Sequence, residues 1–224
     1  LGLVSFPERV DCRDALVTRD ARKLDDLPEG ARVGTSSLRR IAQMARHRPD
    51  LSFVEMRGNV GTRLRKLADG EVDAIVLAMA GLTRLGLAED LRRPVDPDVC
   101  LPAPGQGVLA LETRVQDGRV REIVERLDHA PTRHQVTAER RVLEVLDAGC
   151  LAPMAALARP SEDGLEITGM VASPDGTTLL RTSASGATGD AAELGRTVAE
   201  KLRADGADRV LEEARRLAFE EDGA

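Results

Sequence analysis

Alternating strand-like and helical segments between residues 31 and 87 are the feature of this sequence that most constrains its fold. Short apolar stretches at 31–35, 51–56 and 74–79 predict strands, and each is followed by residues with helical spacing. The third stretch is apolar throughout, which is typical of a strand buried on both faces. This alternation predicts an α/β lobe with a mainly parallel sheet, flanking helices and a ligand site at the carboxyl ends of its strands.

Two arginine-bearing segments follow the first two predicted strands. Residues 33–40 read VGTSSLRR, and residues 57–64 read RGNVGTRL. Each segment opens into a helical pattern, and the unpaired N–H groups of a helix N-terminus attract anions. Because arginine binds carboxylate and phosphate groups with paired donors, the two segments predict a pocket for several such groups.

The charge distribution favours a small anionic ligand. The net charge is −6, yet residues 32–66 contain nine Lys or Arg against two acidic residues. An acidic chain would repel a long polyanion, so this local excess argues against nucleic acid. Trp and Tyr are absent and Phe occurs three times. The core is therefore expected to be aliphatic, and the stacking platforms that bind single strands are missing.

The three cysteines indicate a reducing compartment. Cys12, Cys100 and Cys150 share no metal-ligand spacing and cannot all pair, so we expect no metal site and no disulfide framework. No apolar run reaches membrane-spanning length. We therefore expect a cytoplasmic protein that binds neither membranes nor nucleic acid.

A different pattern begins near residue 132. Pro174, Asp175 and Gly176 form a hairpin signal between two strand-like runs. The pattern predicts a small α+β domain, with helices at 133–146, 191–204 and 208–219 and strands at 155–158, 165–172 and 177–183.

Cys150 stands out because it follows Gly149 in a predicted loop after the first of these helices. A lone cysteine is more often a small buried hydrophobic residue than a nucleophile, so its residue type leaves the role open. The segment at 34–37 alone would also fit a simple capped helix. Arg39 and Arg40 shift that segment towards ligand binding, since both can serve one ligand near a helix end.

Six runs of residues resemble the porphobilinogen deaminase family, also called hydroxymethylbilane synthase. They occur in the family's order and spacing, so the resemblance is specific. They are VGTSSLRR at 33–40, RGNVGTRL at 57–64, AGLTRLGL at 80–87, LPAPGQGVLAL at 101–111, TAER at 137–140 and GC at 149–150.

The resemblance implies a transferase of haem and tetrapyrrole biosynthesis. The family joins four porphobilinogen molecules head to tail, with loss of ammonia, to give hydroxymethylbilane. Its cofactor is a dipyrromethane, itself two porphobilinogen units, bound through a thioether to a cysteine that Cys150 matches. The positions that match cofactor-binding residues are Thr35, Ser37, Arg39, Arg40 and Arg63. The positions that match substrate-binding residues are Arg57, Gly58, Asn59 and Arg84. Each pyrrole carries two carboxylates, which agrees with a pocket for several anionic groups.

The resemblance also implies three domains and a monomer. The family's first two domains resemble the lobes of a type 2 periplasmic binding protein, and the third carries the cysteine on a loop. Residues 13–102 match the second domain, the carboxylate-binding α/β lobe, and residues 128–224 match the third, small α+β domain. Residues 1–12 and 103–127 match remnants of the first domain and the segments that cross to it.

The family's catalytic aspartate has no match in this sequence. It follows a lysine in the first domain, and no Lys-Asp dipeptide occurs here. The sequence starts with Leu1, inside an apolar run, so we expect that most of the N-terminal domain is missing and that no catalytic residue lies in this chain. Two alternatives stay open: an inactive fragment of the deaminase, or a non-catalytic small-anion receptor or effector-binding domain of the two-lobed type. A receptor would not need a pyrrole-modified Cys150.

Overall fold

The computed structural model describes residues 1–149 and 152–222. In this part of the chain three sheets are packed with helices. The strands are β1 (Gly2–Ser5), β2 (Asp14–Thr18), β3 (Arg32–Gly34), β4 (Ser52–Val54), β5 (Ala74–Ala78), β6 (Arg92–Pro94), β7 (Leu111–Thr113), β8 (Met154–Ser161), β9 (Gly164–Ala172) and β10 (Leu179–Gly186). The α-helices are α1 (Leu38–His47), α2 (Val60–Ala68), α3 (Met79–Leu85), α4 (Gly118–Glu125), α5 (Ala130–Val145), α6 (Ala191–Ala204) and α7 (Ala207–Asp222). Among the residues described, no helix combines the length and the apolar character needed to cross a membrane.

The first lobe has a five-stranded sheet in the order β4-β3-β5-β2-β6. The predicted α/β class is confirmed, and β3 is parallel to both β4 and β5. The expectation of a mainly parallel sheet is wrong for the other half, because β2 runs antiparallel to β5 and β6 runs antiparallel to β2. Neither β2 nor β6 is joined to a sheet neighbour by the strand–helix–strand crossover that parallel pairing requires, so the sheet is mixed.

The middle strand β5 is buried on both faces, as predicted. Alternate residues of a strand point to opposite faces, so β5 contributes to two aliphatic cores. On one face the packed residues include Leu16, Val33, Val76 and Met44 of α1. On the other face they include Val17, Ile75, Leu77, Leu67 of α2 and Leu82 of α3.

The reversed direction of β2 brings its first residue to the edge where the parallel strands end. Asp14 opens β2 and lies opposite Ala78, the last residue of β5. The chain also leaves β3 and β4 at this edge, just before α1 and α2 begin. The edge therefore gathers the beginnings of two helices and the amino end of one strand.

The C-terminal unit is α+β, as predicted, with a three-stranded antiparallel sheet in the order β10-β9-β8. One face of this sheet is covered by α5, α6 and α7 around a large aliphatic core. The other face packs against the first lobe through a shared cluster. Its members include Ala42 of α1, Leu101, Leu157, Met170 and Ala172.

A smaller unit joins β1 and β7 in a two-stranded antiparallel sheet next to α4. It is tied to the start of α5, because His129 N–H donates to Phe6 O at 2.9 Å and Phe6 N–H donates to Asp128 Oδ1 at 2.8 Å. This unit leaves many large apolar side chains exposed. They are Leu1, Leu3, Leu109, Val115, Val120, Ile123 and Leu127.

Candidate functional site

A cavity of about 490 Å³ opens between the first lobe, the linker that joins β6 to β7, and the C-terminal unit. Its residues come from four separate stretches of the chain, so it exists only in the folded molecule. They are Ser36, Ser37, Leu38, Arg39, Arg40 and Arg63 of the first lobe, Ala103 and Pro104 of the linker, and Leu143, Gly149, Ala152 and Met154 of the C-terminal unit.

The segment between β3 and α1 is held close to the end of β4. Gly34 leaves room for Met56, since a Cβ on Gly34 would lie 2.6 Å from Met56 Cε. Ser36 Oγ donates to Met56 O at 2.8 Å and accepts from Met56 N–H at 3.1 Å. These contacts fix the two arginine-bearing segments relative to each other.

Ser37 occupies the N-cap position of α1, but its side chain makes no capping hydrogen bond. Instead Ser37 N–H donates to Thr35 Oγ1 at 3.3 Å. Thr35 itself is fully buried and is not part of the cavity lining. Because Ser37 lines the cavity and its hydroxyl does not cap α1, that hydroxyl is available to a bound anion.

Arg39 and Arg40 line the cavity and share one internal carboxylate. Arg39 Nη1 donates to Asp14 Oδ2 at 2.8 Å, and Arg40 Nη2 donates to Asp14 Oδ1 at 2.8 Å. All three side chains are buried. Burial alone would raise the pKa of the Asp14 carboxyl, but attraction to the two arginines and their hydrogen bonds holds that pKa far below its usual range. Asp14 is therefore ionised at neutral pH.

A thiol and two amides complete the polar cluster around Asp14. Burial and the nearby Asp14 charge raise the pKa of the Cys100 thiol to about 12, so the thiol keeps its proton. Cys100 Sγ donates to Asp14 Oδ2 at 3.3 Å, and Gln106 Nε2 donates to Asp14 Oδ1 at 3.0 Å. Gln43 Nε2 donates to Leu101 O at 3.2 Å.

The second arginine-bearing segment reaches the cavity through Arg63. Its Nε donates to Gly58 O at 2.8 Å, and its side chain lines the cavity wall. Asn59 is the N-cap of α2, where its side chain accepts from Thr62 N–H at 2.9 Å. Gly58 has a φ of +119°, which favours glycine.

The remaining predicted substrate residues lie away from the cavity lining. Arg57 is exposed, and its Nε donates to Glu55 Oε1 at 2.7 Å. Arg84 lies in the last turn of α3 and donates from Nη2 to Gly107 O at 3.0 Å. The structure thus brings Ser37, Arg39, Arg40 and Arg63 together around one space. It does not place Arg57, Gly58, Asn59 or Arg84 on that wall.

Cys150 lies outside the described residues, together with Leu151. The nearest described residues on either side are Gly149 and Ala152, and both line the cavity. Ala152 N–H donates to Gly149 O at 3.0 Å.

Asp14, Gln43, Cys100 and Gln106 belong to the site but were not predicted from the sequence. Asp14, Gln43 and Cys100 lie in segments without a motif, whereas Gln106 lies in the run at 101–111, to which no residue role was assigned. For the first three, the available signal was Asp14, an acidic residue directly before the apolar run at 15–17. That run is too short to establish a strand by periodicity.

Comparison with known proteins identifies two regions of the chain. Residues 1–122 match the family model described as "Porphobilinogen deaminase, dipyromethane cofactor binding domain". Residues 134–204 match the model described as "Porphobilinogen deaminase, C-terminal domain".

Curated relatives agree with both matches. The porphobilinogen deaminase of Pelotomaculum thermopropionicum is 48% identical over 202 residues, which is 90% of this chain and 65% of the relative. That of Geobacter metallireducens is 46% identical over 213 residues, which is 95% of this chain and 67% of the relative. This chain therefore spans about two thirds of the length of these relatives.

Among solved structures, an ancestral cationic amino acid solute binding protein overlaps 56% of this chain and 54% of its own. Its sequence identity is 17% and its TM-score is 0.36, so this overlap has no bearing on function. The assignment depends on the sequence matches, which cover both the cavity-forming lobe and the C-terminal unit. On that basis the chain belongs to the porphobilinogen deaminase family.

Proposed function

We propose that this chain forms the cofactor-binding and substrate-binding parts of a porphobilinogen deaminase. This transferase joins four porphobilinogen molecules head to tail, with loss of ammonia, to give hydroxymethylbilane. The observation that carries the proposal is the cavity, which brings Ser37, Arg40 and Arg63 together with the residues on either side of Cys150. Arginine and hydroxyl donors in a cavity that is also lined by the sequence neighbours of a cysteine suit a tethered ligand with several carboxylates.

The chemistry of the cavity residues fits a dipyrromethane cofactor attached to Cys150. Ser37, Arg40 and Arg63 provide hydrogen-bond donors for acetate and propionate groups. Leu143 and Met154, on the opposite wall, provide apolar surface for pyrrole rings. When bound, this cofactor supplies the pyrrole end to which porphobilinogen units are added.

The proposed roles divide by position. Thr35, Ser37, Arg39, Arg40 and Arg63 serve the cofactor, either by direct contact or by holding a residue that makes it. Arg57, Gly58, Asn59 and Arg84 serve incoming porphobilinogen. Arg57 and Arg84 are exposed, so they can meet a ligand that arrives from solvent. No residue of this chain is assigned the family's catalytic acid–base role.

We also propose the domain division 13–102 for the carboxylate-binding lobe and 128–224 for the cysteine-bearing domain. Residues 1–12 and 103–127 would belong to a first domain, whose strands are represented here by β1 and β7. A two-stranded sheet is marginal by itself, and the exposed apolar side chains around it suit packing against further chain. We expect a cytoplasmic protein, since the three cysteines show no disulfide or metal spacing, and a monomer, which the family resemblance implies.

The intact mass of the purified protein tests this proposal. The protein is incubated with porphobilinogen, denatured and weighed by mass spectrometry. We expect an increment of two pyrrole units on the wild type and on Cys12→Ser, and none on Cys150→Ser. Cys12 is a suitable control because it is a partly accessible cysteine outside the cavity lining.

Each alternative gives a different mass result. An increment on Cys150 excludes the anion-receptor alternative. Reversible binding of porphobilinogen with no covalent increment supports a receptor and contradicts our proposal. An increment without release of hydroxymethylbilane identifies a chain that holds the cofactor but does not complete the reaction.

A further inference from the structure

Asp14 is the hydrogen-bond acceptor around which the arginine side of the cavity is organised. Its side chain is fully buried at the first position of β2. Oδ1 accepts from Arg40 Nε at 3.0 Å, Arg40 Nη2 at 2.8 Å and Gln106 Nε2 at 3.0 Å. Oδ1 also accepts from Arg39 Nη2 at 3.3 Å, while Oδ2 accepts from Arg39 Nη1 at 2.8 Å and from Cys100 Sγ at 3.3 Å.

The two arginines use their donors differently. Arg39 also donates to Leu101 O at 2.6 Å and to Gln106 Oε1 at 3.3 Å. Most of its donors are therefore engaged in hydrogen bonds to the linker and to Asp14. Arg40 uses three of its N–H groups on Asp14 and on Val76 O. Since a guanidinium has five N–H donors, Arg40 keeps two that have no acceptor among the described residues. Arg40 also lines the cavity, where a ligand carboxylate can accept these two hydrogen bonds.

The charge balance makes both arginines depend on Asp14. One carboxylate against two guanidinium groups leaves one net positive charge in a buried setting. Without the Asp14 carboxylate, two guanidinium groups of like charge would share a site of low polarity and repel each other. Their side chains would then seek other partners, and the donors of Arg40 would lose their fixed direction.

We propose that Asp14 is the positioning residue of this site: it does not touch the ligand, but it fixes Arg39 and Arg40 so that Arg40 offers its remaining donors to a ligand carboxylate. The proposal rests on the proposed function for the identity of that ligand. A purely structural role for Asp14 would lower the free energy of unfolding without changing how the folded protein binds carboxylates.

Two measurements separate these roles. The first is hydrogen exchange of the Arg40 Nε–H group by NMR, because this group donates directly to Asp14. We expect Asp14→Asn to speed this exchange about tenfold or more, because the amide replaces a charged acceptor. The matched control is Asp128→Asn, which removes a carboxylate that accepts from Arg133 Nε and Nη2 outside the cavity. It should leave Arg40 exchange unchanged.

The second measurement is the dissociation constant for carboxylate ligands, with porphobilinogen and citrate as probes. Asp14→Asn should weaken both by about tenfold or more, because misplaced donors lose most of their benefit. Asp128→Asn should stay within about twofold of the wild type. A folded Asp14→Asn protein with wild-type affinity for both probes would overturn the positioning role.

Failure of the proposed function gives a different pattern. If the wild type binds citrate but neither binds porphobilinogen nor gains mass on Cys150, the proposed function fails, and the citrate series still decides the role of Asp14. If Asp14→Asn does not fold, Asp14→Glu keeps the charge and moves the carboxylate by one methylene. We expect Asp14→Glu to fold and to bind citrate more weakly, and wild-type affinity in this variant would contradict the proposal.

Discussion

Two buried carboxylates, Asp14 and Glu139, show how the number of cationic partners decides the state of an acid. Asp14 faces two arginines, and its pKa is lowered despite burial. Burial raises the pKa of Glu139, because attraction to Arg9 alone does not outweigh desolvation. Glu139 is nevertheless well bonded, since it accepts from Arg9 Nη1 at 2.5 Å, Gly105 N–H at 2.6 Å and Ala158 N–H at 2.9 Å. Glu139 thereby connects α5 to the segment at 1–12, to the linker between β6 and β7, and to β8.

Replacement of Arg9 should therefore strongly destabilise the folded protein. Arg9→Met leaves Glu139 buried without its cation, which should lower the free energy of unfolding by about 3–5 kcal/mol. Urea denaturation at pH 7, followed by far-ultraviolet circular dichroism, measures this loss. Arg196→Met is the control: Arg196 pairs with Glu193 and Glu200 on the exposed face of α6, so its midpoint should barely change. Equal losses in the two variants would show that burial of the pair does not matter.

At the scale of secondary-structure elements, the turn between β9 and β10 is a support for α1. Asp175 Oδ1 accepts from Ser173 Oγ at 2.5 Å and from Thr177 N–H at 3.0 Å, which makes the turn compact. Gly176 has a φ of +73°, and a Cβ there would lie 2.4 Å from Ala42 O. Because α1 carries Arg39 and Arg40, this turn braces the helix on the side away from the lobe's sheet.

Gly176→Ala should therefore lower the free energy of unfolding by more than its left-handed backbone conformation alone explains. Gly30 has the same φ of +73° with nothing within 4 Å of its Cβ position, so it is the matched control. Gly30→Ala should lower the free energy of unfolding by about 1–2 kcal/mol, the cost of a left-handed alanine. Gly176→Ala should lower the free energy of unfolding by a further ~1–3 kcal/mol, because the methyl group collides with α1. Urea titrations of both variants give the difference, and equal losses would argue against the contact.

The sequence was most informative where structure is local. The three strand–helix pairs at β3–α1, β4–α2 and β5–α3 follow from apolar stretches and turn residues, and so does the β9–β10 hairpin from Pro174, Asp175 and Gly176. The strand β2 was missed, because five residues between Arg13 and Arg19 give too little periodicity. Its antiparallel place in the middle of the sheet depends on pairing with β5, which is distant in sequence.

The site was predictable in part for the same reason. Ser37, Arg39, Arg40 and Arg63 lie in motifs, and the structure gathers them at one cavity. The dependence of both arginines on Asp14 could not be predicted, because it links residues 25 and 26 positions apart through side-chain contacts. The binding roles assigned to these four residues stay predictions, and so do those assigned to Thr35, Arg57, Gly58, Asn59, Arg84 and Cys150.

At the scale of the whole molecule, the first lobe and the C-terminal unit share buried apolar contacts as well as the cavity. Met170 of β9 packs in the shared cluster with Ala42 of α1 and Leu101 of the linker. Arg181 of β10 adds a polar link, since its Nη1 donates to Asp98 O at 3.0 Å. The C-terminal unit should therefore hold α1 in place through this cluster, and loss of the cluster should let α1 open locally.

A pair of core truncations tests this coupling. Met170→Ala and Leu202→Ala each remove a fully buried side chain, so each should lower the free energy of unfolding by about 2–5 kcal/mol. Leu202 lies in the core on the far face of the same sheet. Hydrogen exchange followed by mass spectrometry should show faster exchange in α1 for Met170→Ala only. The same change in α1 for both variants would contradict a specific route through the shared cluster.

The carboxylate shared by Arg39 and Arg40 also has a consequence for inheritance. Asp14 balances half of the positive charge in its cluster, so a substitution at any one of the three positions alters the environment of the other two. A mutation to a neutral residue at position 14 would leave two arginines uncompensated, and a mutation at 39 or 40 would change which groups the aspartate holds. We therefore expect positions 14, 39 and 40 to be constrained together in evolution, although the first is separated from the others along the gene.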